Sequence, residues 1–341
     1  MTRVPWYILA GLIAVLTWLL ASFAGGVLFM HTNMGDPVNI LLTADWHVRG
    51  DCPRCRIDED WLESQRKDIQ GVRAVADSEG CDEVWILGDL FHQPRVATEA
   101  VVMVLDELRK FTQTIRILPG NHDLPYHSYE NRDRSSLGVV LKSYTELIDR
   151  EVEEYPGEGL GVHARPFGMD EDPAVLSCDV WATHRLVFKD ESARPMKGLG
   201  WTAQELLDAA PGVRQMIVTG DYHHGYIHTG PDGRRVVTPG CLNIQAADMA
   251  DYQPRVYVWD TASAELKVCL LKGNADQVVT DYLAAQREKD ARMEQVLEAV
   301  RSSAEVSLDF LDNLEKAAAQ DSPGVRGIIG EVTDNLNEDR K

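Results

Sequence analysis

The chain has 341 residues, 44% of them hydrophobic and 26% charged, which is enough to bury a large core and argues against general disorder. Its formal net charge is -20, so it does not hold nucleic acid by bulk surface charge. A DNA substrate would need bound cations or a basic partner. Its six cysteines are scattered apart from Cys52 and Cys55. That spacing lacks the four ligands of a structural zinc site and reads as loop, with free thiols in a reducing compartment.

Residues 1–34 stand apart as a hydrophobic N-terminal segment. No charged residue occurs from Trp6 to Met30, a run long enough to span a bilayer, which takes about 20 apolar residues. Three readings fit: a membrane anchor, a signal peptide ending near Ala24, or upstream codons annexed ahead of a true start at Met30 or Met34. With only Arg3 as positive flank, orientation is undecided. The expectation is a cytoplasmic catalytic domain, with a single N-terminal transmembrane segment as the anchored alternative.

Short apolar runs then end repeatedly in metal-type side chains. Val38–Thr43 leads to Asp45 and His47, and Val84–Leu87 to Asp89. Ile115–Leu118 leads to Asn121, His122 and Asp123; Val180–Ala182 to His184; and Met216–Thr219 to Asp221 and His223. Each run has the length and β-branched content of a buried strand. Sheet folds with helical layers place their sites at such strand ends.

Between the strands, Asp60 caps a predicted helix carrying Leu62, Ile69, Val72 and Val75, and Val101–Leu108 predicts another. Val236–Thr238 precedes Pro239-Gly240, and Arg255–Trp259 with Leu266–Leu271 predicts a closing hairpin. The catalytic domain is placed at 35–272. Over 273–341, apolar residues such as Met293, Val296, Leu297 and Val300 recur at helical spacing. That region is either helices packed on the sheets or a module that docks a partner.

Carboxylates, an amide and imidazoles together suit Mn²⁺, Fe or Zn²⁺ rather than Ca²⁺. Two ions, with Asp89 between them, would polarise a phosphate and activate water for in-line attack. His122 and His92 have no evident ligand role and are read as proton donors to the phosphate or leaving group. Asp123 is read as the group that orients the His122 ring. His127, His163 and His228 are read as solvent-facing or loop residues, and Trp46 and Trp85 as core.

The series Asp45-Trp-His47, Gly88-Asp89, Gly120-Asn-His-Asp123, Thr183-His184 and Gly220-Asp-Tyr-His223 resembles the signature of calcineurin-like metallophosphoesterases, in family order. The resemblance implies an α/β layered fold, a two-sheet β-sandwich flanked by helices. It also implies one metal on Asp45, His47, Asp89 and His223, and another on Asp89, Asn121 and His184. At position 221 the family usually has His; Asp221 is expected to ligate in its place, with water or His224 as substitutes. Manganese is the favoured ion.

Gly88-Asp-Leu-Phe-His92 further resembles the SbcD-type and phage recombination exonucleases. That resemblance implies DNA as substrate, a role in repair or recombination, an SbcC-like coiled-coil ATPase as partner, and a homodimer. The alternative is a membrane-anchored phosphoesterase acting on a lipid or small phosphodiester, although Gly220-Asp-Tyr-His-His-Gly225 lacks the last motif common in such enzymes.

Overall fold

The computed structural model describes residues 38–146, 153–155, 160–169, 172–272 and 278–280, with 292, 293 and 295. The segment Trp6–Met30 and nearly all of 273–341 lie outside the described residues. Among the described residues, no helix is long and apolar enough to cross a membrane. The chain divides at Val278, and the architecture below is that of the first unit.

Two sheets face each other. The first is built from β1 (Asn39–Thr43), β2 (Glu83–Leu87), β3 (Thr114–Leu118), β4 (Thr145–Glu146), β13 (Arg255–Asp260) and β14 (Leu266–Leu270), in the order β14-β13-β1-β2-β3-β4. The second is built from β5 (Glu153–Tyr155), β6 (Leu160–Arg165), β7 (Cys178–His184), β10 (Val213–Gly220), β11 (Tyr226–Thr229) and β12 (Arg235–Thr238), in the order β11-β12-β10-β7-β6-β5. A short pair, β8 (Val187–Phe188) and β9 (Trp201–Thr202), adjoins them.

Ile40, Leu42, Trp85, Leu87, Val180, Ala182, Met216 and Val218 form the core between the sheets. Their neighbours in sequence point outward. Leu41, Val84 and Ile86 pack beneath α1 (Trp61–Ser78), α2 (Thr98–Leu108) and α3 (Ser136–Leu141). On the second sheet, Trp181 and Ile217 pack beneath α4 (Ala203–Ala209). Burial on both faces explains why these strands read as continuous apolar runs rather than alternating ones.

Asp60 caps α1 by accepting from the Glu63 amide, as its residue type predicts. Several elements escaped the sequence reading, among them two helices and the strand β6. The helix α4 opens with a capping box between Thr202 and Glu205, a T-x-x-E signal present in the sequence. The helix α3 opens on Ser135, which accepts from Gly138. The strand β6 corrects the reading of His163, which is buried and 5% exposed on that strand. Trp46 and Trp85 are core, each with its indole N–H bonded, to Thr43 and Glu83 respectively.

The topology gathers the ligand loops at one edge. β1, β2 and β3 run parallel, as do β7 and β10, which pair as far as Gly220 opposite His184. Their carboxyl ends therefore open at common edges of the two sheets. His184 Nδ1–H donates to the Leu87 carbonyl across the sandwich at 2.8 Å, joining the two sheets there.

Candidate metal centre

The first two ligand loops zip together before any metal is considered. The amides of Asp45, His47 and Val48 donate to the carbonyls of Gly88, Asp89 and Leu90, and the His92 amide donates back to Val48. Asp45, His47 and Asp89 all lie at positive φ (50°, 45° and 51°), and Asp221 does too, at 79°. Left-handed backbone is costly for non-glycine residues and tends to gather at functional sites.

The side chains converge. His47 Nε2 is 3.0 Å from His223 Nε2 and 3.5 Å from Asp89 Oδ2. His184 Nε2 is 3.4 Å from the same Asp89 oxygen, 3.0 Å from Asn121 Oδ1 and 4.0 Å from Asp221 Oδ1. Asp45 accepts from the Asp221 amide with both oxygens. Ligating atoms of Asp45, His47 and His223 form one compact group, and those of Asp45, Asp89 and His184 another.

The donor set fits two divalent cations. Asp89 Oδ2 is buried with no hydrogen-bond partner, and it lies between the Nε2 atoms of His47 and His184. A buried carboxylate oxygen without a donor is costly unless a cation answers it. Its other oxygen accepts from the His122 amide at 2.8 Å. The two compact groups share Asp45, and Asp89 Oδ2 lies within 3.5 Å of a histidine from each. Asp45, Asp89 and Asp221 bring three negative charges, fewer than two divalent ions carry.

Electrostatics agree. Burial lowers His47 and His223 below the ordinary imidazole range, favouring the neutral form that ligates metal. Burial also opposes a charge on His184, but Asp89, Asp45 and Asp221 outweigh it and raise its pKa. Burial alone would raise Asp89, yet the neighbouring His184 and His47 hold it low. The anionic pull felt by His184 is one that a cation would satisfy. Because its Nδ1–H is committed to Leu87, Nε2 faces the site, the tautomer a ligand requires.

Asp221 has its side chain 23% exposed at the edge of this group. His224 is exposed and packs against Tyr222 and Tyr252, outside the groups just described.

His92 and His122 lie beside His47, and one nitrogen from each of the three rings forms a third compact group. The rings of His92 and His122 stack at 5.5 Å, and the His47 ring is 5.5 Å from one and 4.8 Å from the other. Burial, Arg49 and His122 lower the His92 pKa to about 4.

The expected role of Asp123 is corrected. The His122 ring is oriented instead by the His92 carbonyl, which accepts from Nδ1–H at 2.7 Å. Asp123 is fully buried and accepts from the amides of Leu90, Phe91 and Gly120. A carboxylate without a donor of its own is drawn to three converging amides rather than to a ring already bonded. It clamps the Asp89 loop to the Asn121 loop.

Other supports were not anticipated. Asn243 and Gln245 donate to the carbonyls of Trp46 and His47, and Leu242 N–H donates to Asp45. At Gly240 (φ 80°) a Cβ would lie 2.3–2.6 Å from the Tyr252 hydroxyl, the Gly225 amide and the His223 carbonyl. Only glycine fits that turn, which accounts for the Pro239-Gly240 signal. His127 Nδ1–H donates to the Asn121 carbonyl, so this exposed histidine steadies a ligand loop. Cys52 and Cys55 carry free thiols in a turn, and among the described residues no cysteine falls in a metal-type group.

The sequence profile of the calcineurin-like phosphoesterase family matches residues 38–191. No curated protein matches the sequence. Similar solved structures include TT1561 of Thermus thermophilus, at 12% identity over 69% of this chain and 100% of that one, with a TM-score of 0.42. A dimetal phosphatase from Danio rerio has 12% identity over 70% and 100%, with a TM-score of 0.40. The phosphoesterase Yfce of E. coli has 13% identity over 69% and 100%, with a TM-score of 0.34.

Proposed function

We propose that this chain, whose residues 38–191 match the calcineurin-like phosphoesterase profile, is a metal-dependent phosphoester hydrolase, and within that class a two-metal phosphodiesterase that degrades DNA as an exonuclease subunit. The observation that carries the two-metal part is the unpartnered Asp89 Oδ2 between the imidazoles of His47 and His184. The observation that favours a nuclease is His92, from the Gly88-Asp-Leu-Phe-His92 segment, whose ring stacks on His122 beside that centre.

Two bound divalent ions supply positive charge for the phosphoryl oxygens and activate water for in-line attack. Asp45, His47, Asp89 and His223 would hold one; Asp89, Asn121, His184 and Asp221 the other. Manganese is the ion proposed for this mixture of oxygen and imidazole donors. The chain's own residues do the rest. His122, fixed by the His92 carbonyl, presents Nε2 to the phosphate or the departing oxygen. With a pKa of about 4, His92 is neutral at pH 7 and serves as a hydrogen-bond donor to phosphate rather than as a cation.

The net charge of -20 supports a basic or ATP-driven partner that brings duplex DNA to the site, for which an SbcC-like coiled-coil ATPase is proposed. The 273–341 region is proposed as its dock, and a homodimer as the assembled form. The apolar Trp6–Met30 run favours a second reading, an anchored phosphoesterase acting on a lipid or small phosphodiester.

One assay separates them. The full chain with Mn²⁺ is given end-labelled duplex DNA, a phospholipid and a small aryl phosphodiester. Progressive release of mononucleotides that disappears in Asp89→Ala supports the nuclease. Turnover of the lipid or small diester with intact DNA would replace it by the second reading.

A further inference from the structure

A cavity of about 230 Å³ opens beside the metal centre. His184 and Asp221 line it together with Phe167, Leu186 and Trp201, and Thr183 and Arg185 add polar residues to the lining. We propose that this cavity is a base pocket, which seats the nucleobase of the nucleotide whose phosphate lies at the metal centre. The proposal rests on the phosphodiesterase reading above and names the part of the substrate that reading leaves open.

Size narrows the occupant. The cavity is smaller than the roughly 300–1,000 Å³ of pockets that take drug-sized ligands, so it suits one ring system. Aromatic walls are the means by which proteins hold unstacked bases with little sequence preference. An acyl chain would call for an apolar channel without the Asp221 carboxylate and the Arg185 guanidinium. Phe167 is tied to the catalytic loops at both ends of its contacts. Its amide donates to the Pro119 carbonyl, and its ring lies 6.4 Å from His184 and 6.0 Å from His127, which itself bonds the Asn121 carbonyl. The wall is therefore held in register with the second ligand group.

Two of the lining residues are exposed glycines with positive φ, Gly168 (79°) and Gly200 (57°). A Cβ at Gly200 would lie 2.5 Å from the Leu186 carbonyl, and one at Gly168 would lie 3.0 Å from the His127 carbonyl. The opposite wall is fixed by the bond from Trp201 N–H to the Leu186 carbonyl at 3.0 Å. Phe167 and Trp201 are both half-buried, each leaving surface open to a ligand.

Calorimetric titration of the Mn²⁺-loaded full chain with dAMP and with deoxyribose 5-phosphate isolates the base. The expected result is dAMP binding at least about tenfold tighter. Leu186→Trp, which narrows the cavity from a wall residue that is not itself a candidate ligand, should bring the two affinities within about twofold, with metal content and inorganic phosphate binding measured alongside to show that the ligand groups are intact. Phe167→Leu, a smaller change to the opposite wall, should lower the ratio severalfold. Equal affinities in the wild type, or a preference that survives Leu186→Trp, would overturn the pocket and leave the hydrolase reading standing. A wild type that takes up neither metal nor phosphate would overturn the hydrolase reading, and this inference with it.

Discussion

Asp123 accepts the Phe91 amide at 2.9 Å, which makes an acidic residue beside a candidate proton donor a clamp on the backbone that carries Asp89. Asp123→Asn retains one acceptor oxygen and turns an NH₂ toward amides that also donate. The expected outcome is a loss of roughly 2 kcal/mol of stability, since an unsatisfied buried group costs about 1–3 kcal/mol. Weaker metal uptake should accompany it. Denaturant titration and metal analysis check this; a variant with normal metal content and only a slower rate would restore the ring-orienting role.

Gly120→Ala tests how closely the loops approach. A Cβ there would lie 2.2 Å from Asp89 Oδ1 and 2.4 Å from the Asp89 amide, so that carboxylate must move. Disturbing what holds a ligand in place costs roughly 10–100-fold in metal affinity. Competition with a chelator measures it, and unchanged affinity would show that Asp89 does not hold the ions.

His122→Gln and His92→Gln are expected to keep both metals and their fold. Loss of a proton-transferring group should lower kcat by roughly 10²–10⁴ for His122. His92, being neutral, should cost less. One nitrogen from each of these rings also groups with one of His47, so metal content is the deciding readout. A variant that loses an ion identifies its histidine as a ligand.

Asp68, on α1, provides the pH test. Burial, with Asp58 adding to it and Arg56 opposing, raises its pKa to about 7. Between the unfolded value near 3.8 and about 7, the folded protein holds a proton that the unfolded chain has released. Stability from this residue is therefore greatest at low pH and falls as pH rises from about 4 to about 7. Each pKa unit corresponds to about 1.4 kcal/mol, so several kcal/mol is the upper limit. Melting curves recorded at pH 5 and at pH 7.5 should lie closer together for Asp68→Asn than for the wild type. An identical pH slope in the two proteins would refute the assignment.

Much of the architecture was legible in the chain alone. Strands buried on both faces must be apolar throughout, and their ends announced themselves because Asp45, Asp89, Asn121, His184 and His223 follow at once. Asp60 and Pro239-Gly240 were readable for the same local reason: a cap and a positive-φ turn restrict residue type whatever the surroundings. The helix α4 carries an equally local signal in Thr202 and Glu205. What only tertiary structure decided is which groups face one another. Asp123 neighbours His122 in sequence, but successive side chains diverge, and the amides of Leu90 and Phe91 arrive from another strand's loop. His163 was unreadable because its burial depends on where β6 enters the second sheet. The cavity of Phe167, Leu186 and Trp201 draws its walls from three separated segments, and no local periodicity encodes that meeting.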